Sequence, residues 1–248
     1  MAFQDHFSTQ AGEYTRFRPR YPGELFEYLA SLPRARSRAW DCGTGNGQAA
    51  CDLARWFREV VATDPSQSQI SHAVAHPKVQ YLVSAAEHAP LPNDSVDLVT
   101  VAQALHWFDL ERFYAEVRRV GRAGSVLAVW SYGLARITPA VDAAVWTLYH
   151  DILGEYWPPE RTIVEEGYKT LAFPFEELSA PRFTMSARWS LTDLVGYLGT
   201  WSSTQAYIKR HQADPVGLVG DELLAAWGAS DRQCQVRWPL VLRVGWIS

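Results

Sequence analysis

The chain has 248 residues, is 48% hydrophobic and 13% aromatic, and carries a formal charge of −4 with a sequence pI near 6.0. That composition supports a substantial buried core, excludes a disordered chain, and gives no general footprint for a polyanion, so nucleic acid is not expected as the partner. The three cysteines lack metal-ligand spacing, the opening residues lack a basic-then-apolar signal pattern, and no stretch reaches the roughly 18 apolar residues of a membrane span, which predicts a reduced, cytoplasmic chain without a membrane partner.

Residues 1 to 36 open with two aromatic-rich segments. Pro19 and Pro22 impose extended geometry before a helical pattern over residues 23 to 32. Phe7, Tyr14, Phe17 and Tyr21 read first as packing residues, and second as parts of an aromatic arm able to close over a site.

From Ser37 the chain alternates between strand and helix. Strands are predicted at residues 37 to 42, 59 to 63, 79 to 83, 96 to 101 and 125 to 130. Ala49, Ala50, Leu53, Ala54 and Phe57 form a buried helical stripe after the first strand. Pro65 and Ser66 start a second helix to about residue 75, and Asp109 caps a third that carries Phe113, Tyr114, Val117 and Val120. Short apolar strands alternating with helices imply a parallel sheet covered on both faces and joined by right-handed crossovers.

Beyond residue 131 the pattern changes. Val141, Val145, Leu148, Tyr149 and Ile152 make one amphipathic helix, residues 161 to 180 read as a helical excursion, and residues 181 to 190 as a strand. Helices follow around Leu194, Leu198 and Trp201, capped by Ser190 or Thr192, and around Val216, Leu223 and Trp227. Val236, Trp238, Leu240, Leu242, Val244 and Trp246 alternate as a final strand, in which Pro239 requires a bulge, a strand start or an unpaired position. The expected organisation is one domain over residues 1 to 248: an arm or lid to 36, a cofactor-binding core from 37 to 131, then a helical cap with terminal strands.

The chemistry concentrates where the first strand ends. Asp41, Gly43, Gly45 and Gly47 make a turn that can fold tightly and present backbone N–H groups, and the second strand ends in another acid, Asp64, 21 positions after Gly43. A dinucleotide fingerprint would carry its third glycine one place later, where Gln48 stands, and Asp41 would sit awkwardly beside a pyrophosphate. An acid there suits a cationic, phosphate-free cofactor such as S-adenosylmethionine, whose ribose diol Asp64 could grip.

These residues, with Ala86-Glu87 and the segment Gln103-Ala104-Leu105-His106-Trp107-Phe108, resemble the class I S-adenosylmethionine-dependent methyltransferases, in particular the methyltransferase type 11 domain group. The spacing Tyr14-x-x-x-Arg18-Pro19-x-Tyr21-Pro22 is similar to the start of trans-aconitate methyltransferase-like proteins of that group. The core likeness covers residues 37 to 130, and the rest matches in order of elements. The resemblance implies an α/β fold: a Rossmann-like, doubly wound, mostly parallel sheet with a C-terminal antiparallel strand pair and a helical lid.

It also assigns roles. Asp41, Gly43, Thr44 and Gly45 would hold the methionine end, Asp64 the ribose, Ala86 and Glu87 the adenine, and Gln103 the methionyl side. Tyr14, Arg18, Trp107 and Tyr132 would line the acceptor site, and His106 would act as the base where the nucleophile carries a proton. Competing readings remain: Asp64 as a helix N-terminal charge, Glu87 as a turn residue, His106 as a structural corner, and Arg18, Arg20 and Arg136 as surface charges or as anion binders.

The expected reaction is methyl transfer from S-adenosylmethionine, leaving S-adenosylhomocysteine, to an oxygen of a small molecule, with a carboxylate as one candidate. No acidic cluster with metal spacing follows the fourth strand, so no metal is expected. An Asn/Asp-Pro-Pro-aromatic motif and a Tyr-x-x-x-Lys pair are missing, which argues against amino-directed DNA methylation and short-chain dehydrogenase chemistry. The alternatives are an NAD(P)-dependent oxidoreductase and a non-catalytic cofactor-binding or regulatory protein.

Overall fold

Strands buried along nearly their whole length must lie inside a sheet with both faces covered, because neither side of such a strand tolerates water. The computed structural model of the chain describes residues 19–247, so the expectations for Tyr14, Arg18 and the aromatic arm before Pro19 fall outside the described residues. The strands are β1 (Arg38–Cys42), β2 (Glu59–Asp64), β3 (Val79–Val83), β4 (Val96–Ala102), β5 (Gly121–Tyr132), β6 (Glu176–Glu177), β7 (Thr184–Trp189) and β8 (Cys234–Trp246). Their order is β3-β2-β1-β4-β5-β8-β6, with β7 also paired to β8. The pairs from β3 through β5 are parallel, and β8 runs antiparallel to β5, β6 and β7. This is the expected Rossmann-like sheet with C-terminal antiparallel strands. β1 and β4 are adjacent while the chain leaves β1 for β2, so the strand order reverses between β1 and β4 and opens a crevice at their carboxyl ends.

The helices follow the apolar stripes. On one face, α1 (Gly23–Ser31) contributes Leu25, Phe26 and Leu29, and α2 (Gln48–Leu53) contributes Ala49, Ala50 and Leu53. On the other, α4 (Leu110–Val120) buries Phe113, Tyr114, Val117 and Val120 against Trp40, Val99 and Val129. Asp109 caps α4 as expected, its carboxylate accepting from the Arg112 N–H. At the opposite end of the sheet, buried Asp97 accepts from the Ser37 and Arg38 amides at 2.7 and 2.9 Å and from Arg122 at 2.9 Å, which fixes the entry into β1.

Differences from the expected elements have local causes. α3 spans Gln67–Ser71 rather than reaching residue 75. It buries no residue, and the Val74 N–H is drawn to the Asn46 carbonyl at 3.1 Å, so nothing packs a longer helix down. Of the excursion over residues 161 to 180, only α6 (Arg161–Glu165) is α-helical.

The helix α5 (Pro139–Trp146) continues through a π-helical turn at Thr147–Ile152. α7 (Leu191–Gly199) carries the Ser190 cap, completed as a capping box by Asp193. α8 (Ser202–His211) is an element the apolar periodicity does not announce, since its buried residues are Ser203 and Thr204. α9 (Gly220–Trp227) follows a 3-10 turn at Pro215–Val219.

Pro239 falls where β8 passes from β7 to β5, and it faces Thr184 at the end of the β7 register. Its missing donor is therefore lost where one ladder gives way to the next. A single hydrophobic cluster runs from α1 through Trp130 to Leu194, Trp201, Trp227 and Trp238, so the sheet and the cap share buried surface. Among the described residues no helix is long and apolar enough to cross a membrane.

Candidate active site

The turn after β1 folds through three left-handed glycines, Gly43 at φ +68°, Gly45 at +57° and Gly47 at +87°. A side chain at Gly43 would place its Cβ 2.5 Å from that of Ala104, and one at Gly47 would meet the Tyr81 hydroxyl at 2.2 Å. Space as well as backbone angle thus demands glycine here. The Gly43 and Thr44 amides donate to the Thr63 carbonyl at 2.8 and 3.0 Å, which holds the turn against the end of β2.

Asp41 lies beneath it, fully buried, accepting from Thr44 Oγ1 at 2.5 Å and Thr100 Oγ1 at 2.7 Å. Burial pushes its carboxyl up to about 6, opposed by those two hydroxyls. Asp64, at the end of β2, accepts from the Gly45 and Ser66 amides at 2.9 Å each. Asp64 therefore braces the backbone of the turn, while Asp41 holds the Thr44 side chain.

Beyond β3, Ala86 is buried and Glu87 accepts from the Asp109 N–H at 2.9 Å, tying this corner to the start of α4. At the end of β4, Gln103 adopts φ +57°, unusual for a residue with a side chain. Its amide donates to the Tyr132 carbonyl at 2.9 Å, and its buried Oε1 has no partner among the described residues. A strained backbone and a buried acceptor without a described partner occur together at this strand end.

Gln103, His106, Trp107 and Tyr132 line one cavity at the crevice, together with cap residues that include Trp157, Arg161 and Trp201. The structure thus brings together these four sequence-predicted residues on one wall, and Asp41, Gly43, Thr44, Gly45 and Asp64 at the neighbouring turn. Arg20 and Arg136 are exposed and do not line the cavity.

Arg161 is the residue sequence reasoning missed. Its Nε donates to the Tyr149 hydroxyl at 2.7 Å, and its guanidinium lies over the Trp157 ring at 4.9 Å. Neither Nη makes a hydrogen bond to a described residue. The Tyr149 hydroxyl is also bonded to Glu165, so the arginine is oriented through a phenol. In sequence, Arg161 is one surface-type arginine among many, and only the Trp157-Pro158-Pro159 stop before it hints at a fixed corner. Trp157 and Trp201, which line the cavity on the cap's side, pack ring to ring with Tyr149 and with each other at 4.8 to 5.7 Å.

His106 sits on the 3-10 turn Leu105–Trp107, with Nδ1 3.0 Å from the Tyr168 hydroxyl. Burial and then the nearby Arg161 charge lower its pKa to about 3, so the ring is neutral at physiological pH. Among the described residues no group of three or more His, Cys, Asp or Glu side chains could hold a metal ion.

A glycine turn after the first strand, an acid after the second and a cavity at the β1/β4 crevice, on a sheet closed by an antiparallel strand, define a class I methyl-transfer enzyme. Comparison with known proteins points to the same class. The methyltransferase domain family matches residues 40–129. A Dictyostelium discoideum protein classed by inference as a methyltransferase is 39% identical over 233 residues, 92% of this chain and 89% of that protein. An uncharacterised Mycobacterium tuberculosis methyltransferase is 41% identical over 127 residues, 50% of this chain and 51% of that protein.

The solved structure of an Anaeromyxobacter dehalogenans protein, classed by inference as a type II methyltransferase, is 51% identical with a TM-score of 0.87, covering 93% of this chain and 98% of that one. The chain belongs to the class I S-adenosylmethionine-dependent methyltransferases, in the methyltransferase type 11 domain group.

Proposed function

We propose that the enzyme transfers the methyl group of S-adenosylmethionine to an oxygen of a small-molecule acceptor, and that this oxygen belongs to a carboxylate. The observation that carries the carboxylate is the cavity wall, where among the described lining residues Arg161 is the one formally charged side chain and no Asp or Glu is present. Arginine matches a carboxylate through paired N–H groups, and the aromatic faces around it suit an apolar or unsaturated body.

The residues present fit the cofactor. A cationic, phosphate-free molecule suits a turn floored by Asp41 and a strand end that offers the unmet Gln103 Oε1 as acceptor. In this reading Asp41, Gly43, Thr44 and Gly45 seat the methionine end, Asp64 the ribose, Ala86 and Glu87 the adenine, and Gln103 the methionyl group. When bound, the cofactor supplies a methyl group already activated by sulfonium charge. The chain's part is to orient the acceptor and exclude water, and alignment of this kind supplies up to roughly 7–11 kcal/mol of a barrier. A carboxylate arrives ionised, so its attack requires no proton removal. Trp107 and Tyr132 form the acceptor wall on the sheet side. The cap from residue 132 onward encloses the acceptor, and three free cysteines fit a cytoplasmic location.

Calorimetric titration with S-adenosylhomocysteine, followed by transfer of labelled methyl to a panel of carboxylic acids and their amides, tests this reading. Base-stable label on amides with none on acids would overturn the carboxylate, and a folded protein that binds neither form of the cofactor would overturn the whole.

A further inference from the structure

Tyr168 is an unlikely place for a tyrosine by local preference. It follows Gly167 in the left-handed region, at φ +59°, and its side chain is wholly buried. Its backbone is held at both ends: its N–H donates to the Ile163 carbonyl at 3.0 Å, and Arg243 Nη1 donates to its carbonyl at 3.1 Å and to that of Leu171 at 2.9 Å. Arg243 is itself paired with Glu177. The effect of this scaffold is to aim a phenol at His106 Nδ1 across 62 positions of sequence.

The direction of that hydrogen bond decides what His106 can do. A neutral phenol carries one proton, and Nδ1 is the acceptor within its reach. If Nδ1 were protonated and donated to the phenol, the hydroxyl proton would be stranded in a dry interior, a costly arrangement. With the hydroxyl donating, Nδ1 is an acceptor and the ring proton resides on Nε2, which has no partner among the described residues. Arg161 sits on the same cavity and disfavours a second positive charge on the ring.

We propose that Tyr168 locks His106 in the Nε2-protonated tautomer, so that His106 serves the cavity as a hydrogen-bond donor to an acceptor oxygen that enters already anionic, and Tyr168 is its positioning residue. This rests on the cavity being the acceptor site. A histidine so held has no lone pair to offer the acceptor. Together with Arg161 it selects acceptors by charge before transfer, and the pocket works without a general base.

Histidine-selective nitrogen-15 NMR of the full chain reads the tautomer without any substrate. His106 is expected to show a pyridine-type Nδ1 and a protonated Nε2 between pH 5 and 8, and Tyr168→Phe is expected to release it to a mixture of tautomers. A protonated Nδ1 in the wild type overturns the proposal.

The donor role is read with phenylacetate as probe, on protein saturated with S-adenosylhomocysteine. Phenylacetate is expected to bind about 10-fold more tightly than phenylacetamide, His106→Ala to lose about 10-fold in phenylacetate affinity, and His106→Gln, which keeps an N–H, to recover most of it. Equal affinity for acid and amide, or no recovery by glutamine in a protein of unchanged melting temperature, overturns the donor role. Failure of S-adenosylhomocysteine to bind would instead count against the methyltransferase reading, while the tautomer measurement stands apart from it.

Discussion

Asp64 Oδ2 accepts the Gly45 backbone N–H at 2.9 Å, so the acid that ends β2 is fastened to the glycine turn that follows β1. The same carboxylate takes the Ser66 amide through Oδ1. An acid placed this way stiffens the turn, and in the proposed reading it is also the group that binds the ribose diol. Asp64→Ala is expected to lower S-adenosylhomocysteine affinity by about 10- to 100-fold, the value of one or two hydrogen bonds to a charged group, with the chain still folded. Calorimetry beside circular dichroism measures both, and unchanged affinity would remove Asp64 from the ribose site.

Gly43 has no room for a methyl group. Gly43→Ala combines a left-handed backbone at φ +68° with a Cβ 2.5 Å from that of Ala104. Destabilisation of roughly 2–4 kcal/mol is expected in urea unfolding, from backbone strain plus overpacking. A loss under about 0.5 kcal/mol would mean that the turn relaxes away from β4 more easily than its contacts indicate.

Gln103 offers a way to separate stability from binding. Gln103→Gly relieves the positive φ but deletes the bond to the Tyr132 carbonyl, so thermal stability should change by less than about 1 kcal/mol as the two effects offset. Cofactor affinity should fall about 10-fold with the loss of Oε1. A variant that keeps full affinity would show that the amide serves only to close the strand end.

Asp41 makes a pH signature. Its folded-state pKa is raised from 3.8 to about 6, chiefly by burial, so between these values the folded chain holds a proton that the unfolded chain releases. Stability at this site therefore falls as pH rises through that window, by about 3 kcal/mol in total, and stays reduced above about pH 6. Asp41→Asn removes the titration. Relative to wild type, the variant should gain stability progressively from pH 4 to 7 in parallel melting curves. A constant difference across the window would contradict the raised pKa.

Much of the fold is legible in local pattern. The stripe Ala49, Ala50, Leu53, Ala54 and Phe57 is buried as its spacing predicts, and the strands of the parallel core stand where the short apolar runs lie. Periodicity reports which side of an element meets the core, and these elements are covered on the sides it names. It fails for α8, where Ser203 and Thr204 face inward and Thr204 donates to the Leu198 carbonyl, because small polar side chains on the buried face leave no apolar rhythm. It also overextends α3, none of whose residues is buried.

The turn from Asp41 to Gly47 and the acid at Asp64 could be read from sequence because each lies within a few residues of the strand end that presents it. The acceptor cavity could not. His106 meets Tyr168 only because Arg243 on β8 pins the 168–171 segment, and Arg161 faces the cavity only because the Tyr149 hydroxyl and the Trp157 ring hold it there. Those partners are set by the antiparallel closure of the sheet and by packing across the cap, contacts between distant residues that no local period encodes. The sequence by itself determined the strand order of chemistry along the chain and the kind of cofactor. The tertiary structure decided which side chains share the cavity, because the contacts that hold His106 and Arg161 there join residues far apart in sequence.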